Sequence, residues 1–317
     1  MAKTTNKKPN PQQVLASINR HNSQSLQELL DKGADPNGCV RDNYHGDTPV
    51  LHLAAGGQFL EGVKLLLTAG ADPKIPMSGG AGTGGSITAL HAAISGSDIR
   101  RGTDLCRSTE DDRFQIVDLL LRAGADPNAV AQSDSTPIYE AARGGKMEIV
   151  VRLIEAGAVF KTWPTSCIPP LFGAAHVPLH GVEEGRAQER VAKLLLDLGA
   201  PVDGQSAKGG TALMVAAGQA SERLIELFLA HGANVNQRMQ DGRTPLICAA
   251  SYARWAAAED EYQLALRVAR RLVDAGADST AQNSDGETAY QIAQPGRAID
   301  ATNFLKAQLE QASGVSR

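Results

Sequence analysis

The feature that most constrains this chain is a short phrase that returns seven times. Gly-Ala, followed by Asp or a small variant, stands at Gly33, Gly70, Gly124, Gly157, Gly199, Gly232 and Gly276. An apolar, helix-like run precedes each one, for example Val63 to Leu67, Ile116 to Leu121 and Val191 to Leu196. A helical run closed by glycine reads as a helix with a C-terminal stop, because glycine enters the left-handed conformation without a steric penalty. Successive glycines are 37, 54, 33, 42, 33 and 44 residues apart, so a unit of 33 recurs with additions. Units this short cannot bury an apolar face alone and become stable only by stacking.

Composition agrees with thin stacked layers. Of 317 residues, 48 are Ala and 32 Gly, against 13 aromatics. One thick core would use more Phe, Tyr and Trp to fill its interior. At 42% apolar and 21% charged the chain lies far from the disordered class, and no apolar run reaches the 18 or so residues that span a bilayer.

A second phrase falls between the stops. It reads Thr48-Pro49-Val50-Leu51-His52-Leu53-Ala54-Ala55, Thr88-Ala89-Leu90-His91-Ala92-Ala93, Thr136-Pro137-Ile138-Tyr139-Glu140-Ala141-Ala142 and Pro169-Pro170-Leu171-Phe172-Gly173-Ala174-Ala175. Thr211-Ala212-Leu213-Met214-Val215-Ala216-Ala217, Thr244-Pro245-Leu246-Ile247-Cys248-Ala249-Ala250 and Thr288-Ala289-Tyr290-Gln291-Ile292-Ala293 follow. Thr is a good N-cap, and Pro is tolerated at the first helical position. From Gly124 onward, the step from each glycine to the next Thr position is 12 residues wherever both exist. These phrases resemble the T-P-L-H-x-A-A signature of ankyrin repeats, whose period is 33.

The resemblance covers residues 11 to 310. It implies an all-α fold, an ankyrin-repeat solenoid of helix–turn–helix repeats with β-turn fingers. The expected organisation is a solvated tail over 1–10, an N-terminal cap over 11–38 holding only the closing part of a repeat, and repeats over 39–310. A frayed tail follows over 311–317, and no stretch remains for a separate catalytic domain.

Individuality should lie in the departures from the repeat. Long inserts fall between the inner and outer helices near 97–114, 176–185 and 251–262. They occur in alternate repeats and could line one edge, or they could be tolerated surface loops. The last reads as an outer helix extended backward by about two turns. The glycine-rich stretch Met77 to Ser86 lacks the Lys that a phosphate loop needs before its helix, so it reads as a long finger.

Ankyrin proteins typically bind other proteins through finger tips and the exposed ends of inner helices. Mapped by position, that implies Tyr44, His45, Arg143, Trp163, Ile168, Arg238 and Arg243 as contact residues, and Arg100, Arg101 and Trp255 on the inserts join them. Tyr, Trp and Arg dominate interface hot spots. Trp163, between Thr162 and Pro164, is expected to contact a partner and not the core.

Catalysis and metal binding find little support. His176 and His180 have i,i+4 spacing with Glu183 near, but Pro178 interrupts the run. His52 and His91 belong to the repeat signature and are expected to hold neighbouring fingers. Asn37, Asn128 and Asn236 occupy a position where eukaryotic ankyrin repeats can be hydroxylated, although a loop-capping role is favoured. Cys39, Cys106, Cys167 and Cys248 form no C-x-x-C pair. A formal charge of −4 argues against nucleic acid as a partner.

The expectation is a cytoplasmic, monomeric, non-enzymatic adaptor whose partner is another protein. It would have no cofactor, no metal, no nucleic-acid partner and no membrane partner. The alternative is an inhibitor or immunity-type protein that blocks a partner enzyme's active site.

Overall fold

Seven helices end in the same way, and that ending sets the architecture. In the computed structural model, which describes residues 8–42, 46–77, 87–96, 109–131, 133–164, 166–176, 182–294 and 299–312, all seven repeated glycines have φ between 82° and 93°. At each one the glycine N–H bonds the carbonyl three residues back, and the following Ala N–H reaches back five, as in Gly33 to Leu30 (2.9 Å) and Ala34 to Leu29 (3.0 Å). This is the Schellman stop, which satisfies carbonyls that the helix leaves unpaired.

The chain forms two compact units, residues 1–141 with 148–159 and residues 142–147 with 160–317. The first begins with helices α1 (Pro11–Asn19) and α2 (Ser23–Asp31), then an antiparallel hairpin, β1 (Cys39–Asp42) and β2 (Gly46–Pro49), with Val40 opposite Thr48. Helices α3 (Val50–Gly56), α4 (Leu60–Thr68), α5 (Ala89–Ser95) and α6 (Glu110–Arg122) follow, then α7 (Pro137–Arg143), whose last two residues belong to the second unit, and α8 (Met147–Glu155). Inner helix α3 packs on α1 and α5, while outer helix α4 packs on α2 and α6.

The second unit continues with α9 (Pro170–Ala174), α10 (Val182–Asp197), α11 (Ala212–Gly218), α12 (Glu222–Ala230), α13 (Pro245–Trp255), α14 (Glu259–Asp274), α15 (Ala289–Ala293) and α16 (Ile299–Ala312). Here α11 lies against α9 and α13, and α12 against α10 and α14. The architecture is the all-α ankyrin-repeat fold, and among the described residues no helix is long and apolar enough to cross a membrane.

The alanine pairs explain how close the layers lie. Ala54, Ala55, Ala141, Ala142, Ala174, Ala175, Ala216 and Ala217 are fully buried. Larger side chains fill the space between helices from the outer layer, as Leu66, Leu120, Leu153, Leu195, Phe228 and Leu272 do with no exposure.

The N-terminal expectation needed correction, and the insert expectation an addition. The N-terminal segment holds both helices of a pair and not only a closing half. Its first helix is started by Asn10 and Gln13, which cap each other reciprocally, with Pro11 at the first turn and Val14 and Ile18 buried beneath. The 251–262 insert lengthens two helices: α14 runs 16 residues against 9 in α12, and α13 also grows to 11 against 7 in α11.

Two polar devices tie successive repeats. Asn37 donates to the Gly70 carbonyl (3.3 Å) and accepts from the Asp72 N–H (2.8 Å). Asn128 does the same with Gly157 (3.0 Å) and Val159 (2.7 Å), and Asn236 with Gly276 (2.9 Å) and Asp278 (2.8 Å). These asparagines are the loop clasps of the fold. Meanwhile His52 lies with Nε2 3.0 Å from the Ile87 carbonyl of the next finger.

Truncating a clasp removes two hydrogen bonds at once, so Asn236→Ala should lower unfolding stability by about 1–2 kcal/mol in urea melts. Burial pushes His52 down to about 4 from its ordinary 6.5. The unfolded chain therefore binds a proton between those values that the folded chain does not, and stability falls as pH drops through this window. From pH 6.5 to pH 5 the His52 share of that loss should be about 1.5 kcal/mol, the slope approaching about 1.4 per pH unit only once the unfolded imidazole is fully protonated. Denaturant melts of His52→Gln should show a correspondingly flatter pH dependence.

Candidate functional site

Among the described residues of the second unit, two cavities on the finger and inner-helix side share one residue, Met239. The larger, about 470 Å³, lies over α11 and α13 and is lined by Phe172, His176, Met214, Cys248, Tyr252 and Trp255 among others, with Arg243 at its edge. The smaller, about 400 Å³, lies among the fingers between Trp163, Gln205 to Ala207, Gly209, Arg238 and Gln240.

Local geometry explains each wall. The fingers are hydrogen-bonded loops: Met239 N–H reaches the Arg243 carbonyl (2.9 Å), and Gln240 ties back to the preceding finger through the Lys208 (3.0 Å) and Ala207 (2.9 Å) carbonyls. Gly210 forms part of the floor. A Cβ there would lie 3.2 Å from Phe172 and 3.4 Å from the Met239 methyl, so a side chain would intrude on the packing between these two. Helix α13 starts at Thr244, which caps the Ile247 N–H, and its extra turn carries Trp255 to the rim with 77% of its surface exposed. The Arg254 guanidinium stands 5.4 Å from the Trp255 ring centroid, within cation–π range.

Trp163 departs from its expected role as a purely exposed contact. It is half-buried, its Nε1 donates to the Gln205 carbonyl (3.3 Å), and its ring covers Gly204 so closely that a Cβ at Gly204 would lie 2.5 Å from Cη2. The ring thus serves as a wall of the smaller cavity and as packing for the next finger.

Arg238 is held by the next finger and Arg243 by its own. Arg238 donates through Nη2 to the Gln282 carbonyl, and Arg243 pairs through Nε with Asp241 at 2.8 Å. Burial is the main cause that keeps His176 below the ordinary imidazole value, and it lifts the Cys248 thiol to about 11. At neutral pH the larger cavity therefore presents a neutral imidazole and a neutral thiol, with charge only from Arg243.

The structure brings together Trp163, Arg238, Arg243 and Trp255 of the expected contact residues. Arg143 is exposed at the end of α7, where its carbonyl accepts from Gln188 (3.1 Å), and Ile168 is half-buried; neither lines these two cavities. Tyr44, His45, Arg100 and Arg101 lie outside the described residues, as do His180 and most of the 97–114 insert. Among the described residues no group of three His, Cys, Asp or Glu side chains is placed to hold a metal ion.

Comparison with known proteins gives the family. Sequence models of the ankyrin repeat match residues 45–77 and 87–132, and a three-copy ankyrin model matches 181–259. The ankyrin-repeat domain of human ASB11 superposes with a TM-score of 0.59 at 23% identity, over 80% of this chain and 96% of that one. This chain is an ankyrin-repeat protein. Among curated relatives, ankyrin repeat, SAM and basic leucine zipper domain-containing protein 1 of Dasypus novemcinctus is 30% identical over 133 residues, 42% of this chain and 24% of that protein. The E3 ubiquitin-protein ligase KEG of Arabidopsis thaliana is 28% identical over 222 residues, 61% of this chain and 13% of that protein. The chain thus spans a quarter or less of these relatives.

For an ankyrin-repeat protein the family establishes a protein–protein interaction module, and the cavities show where this one has uncommon walls. Sequence reasoning missed Met239, Met214, Phe172 and Tyr252. A signal existed for two of them: Phe172 and Met214 replace the signature histidine seen at His52 and His91.

The Trp163 wall can be tested by crowding it. In a Trp255→Phe background, which leaves a single tryptophan, Gly204→Ala should displace the indole and shift its fluorescence emission to the red. The accompanying loss of stability should stay near 1 kcal/mol, the worth of one hydrogen bond.

Proposed function

We propose that this ankyrin-repeat protein is a non-enzymatic adaptor that binds a partner protein through the finger and inner-helix face of its second unit. The observation that carries this reading is the convergence of Trp163, Arg238, Arg243 and Trp255 on two adjoining cavities. These are the side-chain types that anchor protein interfaces, and Trp255 in particular keeps a large apolar ring in water. The finger hydrogen bonds hold the walls before any partner arrives, which reduces the ordering cost of association.

A non-catalytic role is supported by the state of the cavity's reactive groups. His176 is turned to the Phe172 carbonyl at 3.2 Å, and the Cys248 thiol is held protonated by burial. Neither is arranged as a nucleophile with its base. The free thiols of Cys167 and Cys248, both buried, suit a reducing compartment, and we place the protein in the cytoplasm.

An adaptor engages two partners, so the decisive experiment follows both. Cross-linked complexes purified from the native host should contain two partner proteins, and Trp255→Ala with Arg243→Gln should release one by at least tenfold while the other stays bound. Retention of both partners by this double variant, with its melting temperature unchanged, would remove this face from the interface. A single partner whose enzymatic activity falls on binding would replace the adaptor reading with that of an inhibitor.

A further inference from the structure

The two cavities carry a charge bias that the chain as a whole does not. The protein has 35 acidic and 31 basic residues, yet the linings contain Arg238 and Arg243 and not one carboxylate. The remaining walls are aromatic, thioether, amide and small side chains. Carboxylates stand close by without lining the cavities: Asp241 pairs with Arg243, Asp278 lies near Arg238, and Glu261 and Asp260 lie near the Tyr252 hydroxyl at the opposite end.

The arrangement is therefore polar along its length. The finger cavity offers Arg238 beside Trp163, and Arg243, whose carbonyl accepts from the Met239 N–H, stands at the start of α13; the far end of that helix offers Tyr252 and Trp255, with Asp260 and Glu261 near the Tyr252 hydroxyl and Arg254 over the Trp255 ring. Met239 lies between and belongs to both cavities. A ligand that matches both ends has negative charge at one end and a bulky apolar side chain at the other.

Resting on the proposed binding face, we propose that the groove takes an extended acidic peptide of a partner protein, with an aromatic or long aliphatic side chain seated over Met214 and its Asp or Glu residues against Arg238 and Arg243. A volume of about 470 Å³ lies within the range of small-ligand sites, with room for a bulky side chain and the peptide beside it. Methionine walls adapt to differing apolar side chains, and arginine pairs with carboxylates through a planar fork. Nucleic acid is the poorer match, because two arginines do not make the cationic cluster that phosphate backbones require.

The test is selection of a random 12-residue peptide library on the full chain, followed by affinity measurement of the enriched peptides. The expected result is enrichment of peptides that place Asp or Glu to one side of a Phe, Leu, Met or Trp. Their affinity should fall about tenfold in Arg238→Gln and in Arg243→Gln, and by less in Arg243→Lys, which keeps the charge and loses the planar fork. Added salt should weaken wild-type binding and affect the glutamine variants less.

Enrichment of neutral or basic peptides whose binding is lost in Trp163→Ala or Met239→Ala would overturn the acidic class and leave the binding face standing. No enrichment, or peptides indifferent to all of these variants, would overturn the proposal and count against the face as well. Displacement of the peptides by a single-stranded DNA oligomer at equal concentration would assign the arginines to phosphate and overturn it too. Circular dichroism and melting temperature of each variant separate loss of the groove from loss of the fold.

Discussion

A repeat protein depends on each unit handing the chain to the next at a fixed angle. Here that is done by the left-handed glycine and the N–H that follows it, which together close seven helices with one geometry. The alanine after the glycine is part of the device: it supplies the long-range N–H, and its methyl is buried at Ala34, Ala71, Ala125, Ala158, Ala200 and Ala233. Once the chain direction is fixed, the next side chain able to reach the neighbouring stop is three residues further on. Asparagine has both the donor and the acceptor that this stop presents, which is why Asn37, Asn128 and Asn236 bind a glycine carbonyl and an N–H two residues on. Asp203 occupies the same place with acceptors only, and takes only an N–H, that of Asn234 (2.9 Å).

The same dependence explains what could be read from the sequence. Stops, caps and alanine pairs are local patterns repeated in register, so residues such as Thr211, Thr244 and Thr288 announced their helices, and their hydroxyls indeed accept from the third N–H of each. Trp163 was legible as unusual, but its half-burial was not. The contact that buries it is made by Gly204 and Gln205 in the next finger, and no local pattern signals that a glycine there will receive a ring. The α1 helix was missed for a related reason: it lacks the signature phrase, and its start rests on a polar exchange between Asn10 and Gln13.

One position in the signature links fold to function. Where it is histidine, as at His52, the imidazole bonds the backbone of the following finger and burial keeps it neutral. Where it is Phe172 or Met214, no such bond can form, and the side chain instead becomes a wall of the larger cavity. A stabilising polar tie has been exchanged for apolar surface beside open space. The fingers above compensate through bonds of their own, Gln240 to Lys208 and Ala207 and Arg238 to Gln282, so the groove keeps its shape without the histidine.

The inserts join this arrangement by lengthening helices. Both α10 and α14 run 16 residues where α12 has 9. On α10 the added turns bring buried Gln188 to the Arg143 carbonyl, and Gly145 lies so near Ala187 that a Cβ there would approach to 2.8 Å. On α14 the longer helix starts close to the end of α13, with Glu261 accepting from the Ala257 (2.6 Å) and Ala258 (3.2 Å) N–H groups in the turn between them. That turn holds the exposed Trp255 at the groove's rim, although a loose loop would also have tolerated the extra residues. The capped junction satisfies the N–H groups at the start of α14, so the exposed Trp255 ring is carried on an ordered helix end.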